Sequence, residues 1–231
     1  VSGTHAIASA LRGNLRPGQT LLAGTGAPYD TLLPVIGHPV DYPGSLASWG
    51  VGYREVPLAD ERIDLQALEA AVDGKTGLVF LQRSRGYTWR RSLHVEELAQ
   101  AIEVIRARAG IQVTILVDNC YGEMVELQVP TQRGADLVIG SLIKNLGATI
   151  VPTGAYVAGS KTAVEATLTA FTAPGLSGHV GPTLGMARGM AQALSMAPQT
   201  VAQSLEGRVV AAWLFEQAGF ETSPRWSDER T

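Results

Sequence analysis

Three short runs are apolar almost without interruption: Leu78–Gln82 (LVFLQ), Thr114–Asn119 (TILVDN) and Asp136–Ser141 (DLVIGS). A strand with one wet face alternates polar and apolar residues, so an unbroken apolar run needs cover on both faces. That condition is met by a mostly parallel sheet sandwiched between helices. Three further runs, Leu21–Gly26, Tyr53–Leu58 and Gly154–Ala158, read as strands of the same sheet, with the first apolar run extended back to Gly77. Helical patterns lie between them at Thr4–Leu15, Leu65–Val72 and Val95–Ala109. In the last, Val95, Leu98, Ala101, Ile102 and Ile105 recur at three- and four-residue spacing. The alternation predicts an α/β fold. Beyond residue 160 the pattern turns helical, with helices expected at Thr162–Phe171, Thr183–Leu194 and Val201–Ala218, separated at Pro-Gly and Ala-Pro.

Composition narrows the function. The 231 residues carry a net charge of −3, which argues against nucleic-acid or membrane-surface partners held by a positive field. The single cysteine, Cys120, rules out an internal disulfide framework and fits a reducing, cytoplasmic setting. The four histidines are scattered without zinc-type spacing, so no metal is expected. Glu123 and Glu126 lack a third ligand and read as an exposed face. Gly24-Thr-Gly26 lacks the third glycine of a dinucleotide fingerprint. Cys120 has no suggestive histidine and reads as an inert thiol. The chain opens Val-Ser-Gly-Thr-His without an initiator Met, which gives the expectation of a fragment.

Only three lysines are present. Lys75 and Lys161 sit in polar turn and helix-start contexts and read as solvated. Lys144 ends an apolar stretch. Either it reaches solvent from a strand end, or partial desolvation lowers its pKa toward a nucleophilic, Schiff-base-forming amine. Asp118 ends a buried strand, where open α/β sheets bind ligands, although many strand-end aspartates serve only as turn or cap residues. A lysine and a carboxylate converging on one rim match the needs of pyridoxal phosphate, one for covalent attachment and one for the ring nitrogen. Ser2-Gly3-Thr4 opens a helix and could hold a phosphate, or Thr4 could simply cap it. Ser141 adds a rim hydroxyl, and Tyr29, in a loop after a strand, offers an aromatic lid or plain packing.

The segments SGTHAI (2–7), PYDTL (28–32), QRSRGY (82–87), VDNCYGEMVE (117–126), GADLVIGSLIKN (134–145) and APGLSGHVG (173–181) together resemble the aluminium-resistance, methionine gamma-lyase-like branch of the Cys/Met-metabolism pyridoxal-phosphate enzymes, of fold type I. The resemblance implies that Lys144 carries the cofactor and shuttles a proton, Asp118 pairs with the pyridine nitrogen and Tyr29 stacks on the ring. Gly3, Thr4 and Ser141 would bind the phosphate, with Tyr121, Arg83 and Arg85 as substrate-side groups. It further implies a carbon–sulfur lyase acting on a small-molecule sulfur amino acid by β- or γ-elimination, in a homo-oligomer, dimer or tetramer. A γ-replacement synthase, a racemase or a cofactor-free remnant are the alternatives. Residues 1–215 would form the cofactor-binding large domain without its N-terminal segment, and 216–231 the start of a truncated small domain. One departure stands out. The family usually continues SLIKNPGGG, whereas residues 145–149 here read Asn-Leu-Gly-Ala-Thr, replacing a rigid proline and two permissive glycines with ordinary residues.

Overall fold

The computed structural model describes residues 2–109, 112–181 and 183–229. Its core is a six-stranded sheet of β1 (Thr20–Ala23), β2 (Gly52–Glu55), β3 (Thr76–Gln82), β4 (Thr114–Asp118), β5 (Leu137–Ser141) and β6 (Ala155–Gly159), in the order β2-β1-β3-β4-β5-β6. The first five strands are parallel and β6 is antiparallel to β5. Around it lie α1 (Gly3–Asn14), α2 (Leu33–Ile36), α3 (Leu65–Ala71), α4 (Val95–Ala109), α5 (Lys161–Phe171) and α6 (Ala187–Gln217).

The unbroken apolar runs are explained residue by residue. Val79, Leu81, Val117 and Val138 point to one face, where they meet Leu68 of α3 and Leu98, Ile102 and Ile105 of α4. Their neighbours Leu78, Phe80, Leu116 and Ile139 point to the other, where they meet Ile7, Ala10 and Leu11 of α1 and Ala163 of α5. Successive side chains take opposite faces of a strand, so both sets had to be apolar. Helix α1 lies close on α5. A Cβ at Gly13 would come within 2.3 Å of the Ala166 carbonyl oxygen, so glycine is what permits this approach.

The structure corrects the sequence reading in two places. Strands β1 and β2 stop at Ala23 and Glu55, short of Gly26 and Leu58. Beyond them isolated backbone bonds persist, from Val56 N–H to Ala23 O, from Gly24 N–H to Phe80 O and from Gly26 N–H to Val56 O, before Gly26 turns away at φ 81°. The two helices expected over 183–218 are one helix, α6, which passes through Pro198. Proline inside a helix costs roughly 3 kcal/mol. Here Ala193 and Ala197 are buried against Ala148 and Val151 on the N-terminal side of the proline, and this packing holds the helix together. Residues 215 and 216 lie in the last turn of α6. Among the described residues no helix is long and apolar enough to cross a membrane.

β1 is flanked by β2 on one side and β3 on the other, so the chain reverses its direction of progress across the sheet there. In open α/β sheets such a reversal opens a crevice beyond the carboxyl ends of the strands. Gln82 and Asp118 are paired at that edge, and Asp118 is paired with Ile139, two residues before Ser141.

Candidate active site

A cleft of about 470 Å³ opens at this edge. It is walled by the start of α1, Tyr29, the ends of β4 and β5, and Lys144. The expected residues Gly3, Thr4, Tyr29, Asp118, Tyr121, Ser141 and Lys144 all face it, although they come from four separate stretches of the chain.

Ser2 caps α1, its hydroxyl accepting from His5 N–H at 3.1 Å, so Thr4 is not the cap. Thr4 instead turns its hydroxyl to the cleft and accepts from the Tyr29 hydroxyl at 3.1 Å. A Cβ at Gly3 would lie 3.0 Å from Ser141 Cβ, so the helix start rests against the end of β5 because residue 3 is glycine. The first amides of any α-helix lack an intrahelical acceptor, which leaves those of α1 directed at this corner. Tyr29 is fixed a second time, its backbone N–H donating to Gln82 Oε1 at 2.9 Å.

Asp118 is 3 % exposed. Burial pushes its carboxyl above the usual range, opposed by hydrogen bonds from Cys120 and by the charge of Lys144. Its Oδ1 accepts from Cys120 N–H at 3.0 Å, the first bond of the turn that follows β4. The Cys120 thiol is buried and pushed up to about 12 by desolvation and by Asp118, consistent with an inert sulfur. Tyr121 stands at φ 71° and is 48 % exposed, with Lys144 Nζ 4.3 Å from its ring centroid.

Lys144 sits three residues beyond β5, its N–H donating to Ser141 O at 3.3 Å. The expected lowering of its pKa is overturned. Burial does pull the ammonium down, but Cys120, Tyr121 and Asp118 together pull harder, and the net direction is up. These surroundings favour the ammonium, which sits over the Tyr121 ring.

The two arginines are placed elsewhere. Arg83 is 2 % exposed and turned away from the cleft, into the turn after β4. Its Nε donates to Leu93 O at 3.0 Å, and Nη1 donates to Asn119 Oδ1 at 2.9 Å and to Gly122 O at 3.2 Å. Nη2 pairs with Glu126 at 2.9 Å. A substrate-side role is therefore replaced by a scaffolding one. Arg85 donates through Nη1 to Ser223 O at 2.7 Å and to Ser223 Oγ at 2.8 Å, and its guanidinium lies over Trp89, so it too is engaged outside the Lys144 cleft. The exposed face expected for Glu123 and Glu126 is also corrected. Glu126 joins Arg83 and His94, and Glu123 is 5 % exposed.

Ser84 and Thr153 line the cleft unannounced. Ser84 was findable, because side chains alternate along extended backbone and an inward Arg83 leaves the next residue facing the cleft. Thr153 arrives from the loop before β6 and has no local signal.

A sequence profile of the methionine gamma-lyase family matches residues 1–231. The uncharacterized protein YnbB of Bacillus subtilis (strain 168) is 42 % identical over 233 residues, covering 100 % of this chain and 55 % of YnbB. L-methionine gamma-lyase of Pseudomonas putida is 32 % identical over 164 residues, 71 % of this chain and 36 % of that enzyme. The crystal structure of a carbon-sulfur lyase involved in aluminum resistance from Clostridium novyi NT superposes with a TM-score of 0.95 at 42 % identity, over 100 % of this chain and 55 % of that one. The chain thus spans about half the length of these nearly full-coverage relatives. Its sheet is that of the fold-type-I pyridoxal-phosphate enzymes. With the profile matched from end to end, the chain belongs to the methionine gamma-lyase family.

Proposed function

We propose that this chain contributes the cofactor-binding wall of a pyridoxal-phosphate-dependent carbon–sulfur lyase acting on a sulfur amino acid. The observation that carries the reading is the convergence of Lys144 and Asp118 on one cleft, closed at one corner by the start of α1 and Ser141. The residues fit the cofactor. The glycine at position 3 leaves an open corner, lined by helix amides and by the Thr4 and Ser141 hydroxyls, that suits a phosphate. The buried Asp118, its pKa raised by burial, is suited to a cationic ring nitrogen.

When bound, pyridoxal phosphate supplies an electron sink for the charge left at a deprotonated carbon. This chain's residues do the rest. Gly3, Thr4 and Ser141 hold the phosphate, and Tyr29, tied by Thr4 and Gln82, flanks the ring. Asp118 would meet the ring nitrogen with a buried carboxyl that a cation placed there would hold ionised, in a setting where water does not screen the pair. Lys144 Nζ would be the point of covalent attachment for the cofactor and, once free, the base placed to accept the substrate's Cα proton and to return it to the departing thiolate sulfur. Tyr121, beneath Nζ, steers the amine through its ring face.

The test is the visible absorption of purified protein given the cofactor. A borohydride-reducible band present in the wild type and lost in Lys144→Ala is expected. No band in the wild type, or a reducible band retained in Lys144→Ala, rejects the reading. Product analysis with methionine, cystathionine and cysteine then separates elimination from replacement.

A further inference from the structure

Glu123 has no part in the chemistry just described, yet it is one of the most costly side chains in the molecule. It folds back beneath the turn after β4 and is 5 % exposed. Its Oε1 accepts from the Tyr156 hydroxyl of β6 at 2.7 Å. Its Oε2 is buried with no hydrogen-bond partner among the described residues. The backbone of β5 makes room for it at Gly140, where a Cβ would come within 2.1 Å of Oε1. Arg83, a buried cation that Glu123 acts on, is already engaged by Glu126 and by the turn. A buried carboxylate with an idle oxygen costs several kcal/mol, and holding a proton is the cheaper state.

The surroundings link this carboxyl to the cleft. Asp118 at the end of β4, Lys144 after β5, Cys120 in the turn, Arg83 at the end of β3 and Tyr156 on β6 all act on it or are acted on by it electrostatically. The link is also mechanical. Asn145, next to Lys144, donates through Nδ2 to the Glu123 carbonyl at 2.8 Å and to the Tyr121 carbonyl at 3.0 Å. We propose that Glu123 is a positioning residue that stores a proton behind Asp118, and that its ionisation sets how tightly the Lys144 nitrogen holds its own proton. The inference deepens the lyase reading and, for its effect on bound cofactor, rests on it. A merely structural Glu123 would serve Tyr156 as an acceptor, which glutamine does equally well.

Burial places the Glu123 carboxyl at about 7 against an ordinary 4.5, with Asp118 adding to the rise and Tyr156 and Lys144 opposing it. A folded pKa above the unfolded one gives stability that is full below about 4.5 and lost as pH climbs through about 7. Glu123→Gln abolishes that loss. In cofactor-free protein, the folding equilibrium of the variant relative to wild type should therefore rise by roughly 200-fold between pH 4 and pH 8. In cofactor-loaded protein, removing the anion should lower the pKa of the Lys144-dependent visible band by about 0.5 unit or more, a threefold loss of proton affinity. Should Glu123→Gln fail to fold, Tyr156→Phe removes the donor that favours the ionised form. It should move the stability loss to higher pH and shift the band in the same direction as Glu123→Gln. A band titration unchanged in the folded variant overturns the proposal, and so does a stability difference that is flat with pH. If wild type forms no band at all, the lyase reading fails by itself, and the cofactor-free profile still decides whether Glu123 stores a proton.

Discussion

The loop after Lys144 tests whether the glycine-poor sequence at 145–149 distorts the site or merely strains it. Gly147 has no alternative, since a Cβ there would lie 1.6 Å from the Leu142 carbonyl oxygen. Ala148 and Thr149 follow at φ 45° and φ 63°, in the left-handed region. The loop therefore keeps a glycine-type path with residues unsuited to it. That conformation costs an L-residue roughly 1–2 kcal/mol, with β-branched threonine at the upper end. Replacing Thr149 by glycine recovers this and loses roughly 0.5–1 kcal/mol to the freer unfolded chain. The Thr149 side chain is exposed, so no packing is lost. The net gain is about 0.5–1 kcal/mol. Ala148 differs because its methyl is buried against Val151, Ala193 and Ala197. Losing it forfeits about 0.8 kcal/mol, which brings Ala148→Gly close to neutral. With a urea slope of roughly 3 kcal/mol/M for a chain of this size, Thr149→Gly should raise the unfolding midpoint by about 0.2–0.3 M. Ala148→Gly should leave it in place. A midpoint lowered by Thr149→Gly, or raised equally by both, would refute the argument from backbone strain.

Gly13→Ala should destabilise the protein by roughly 2–3 kcal/mol in the same assay, because the new Cβ meets the α5 backbone and the helices must part; an unchanged midpoint would mean that the α1–α5 approach is looser than described. Cys120, buried and pushed up to about 12, should resist thiol reagents at pH 8 in the native state and react on unfolding; rapid native labelling would contradict its placement. Asp118→Asn should preserve the fold while weakening pyridoxal phosphate binding on the order of 100-fold or more, measured by equilibrium titration, since a buried cation loses its partner. An unaltered dissociation constant would remove Asp118 from the ring nitrogen.

What could be read directly from the chain was whatever depends on local period. The double-sided apolar runs of β3, β4 and β5 demanded helices above and below, and the two core clusters supply them. The cleft was legible for a related reason. Asp118 and Ser141 terminate such runs, and a parallel sheet brings the ends of its strands to one edge. Charge environment was not legible, because it depends on contacts between distant segments. Lys144 looked like an amine lowered by burial, but its pKa is decided by Asp118, Cys120 and Tyr121, 23 to 26 positions earlier in the chain. The family resemblance made Arg83 a substrate-side cation, yet it is the next residue, Ser84, that faces the cleft. A one-residue alternation sent its guanidinium the other way, into the turn, where Gly122 leaves no Cβ to meet Nη1.

Glu123 shows the same principle from the opposite side. Spacing alone made it half of a solvated pair with Glu126, since nothing near it in sequence could bury it. Its cover comes from Gly140 and Tyr156, which reach it only after β5 and β6 have formed an antiparallel pair with those two residues in register. Residues 140 and 156 therefore set the surroundings of a side chain at 123, which lies behind Asp118 and is tied to the Lys144 segment through Asn145. The last strand of the sheet, though it lies at the edge and outside the cleft walls, thus bears on the cleft through the carboxyl that Tyr156 holds.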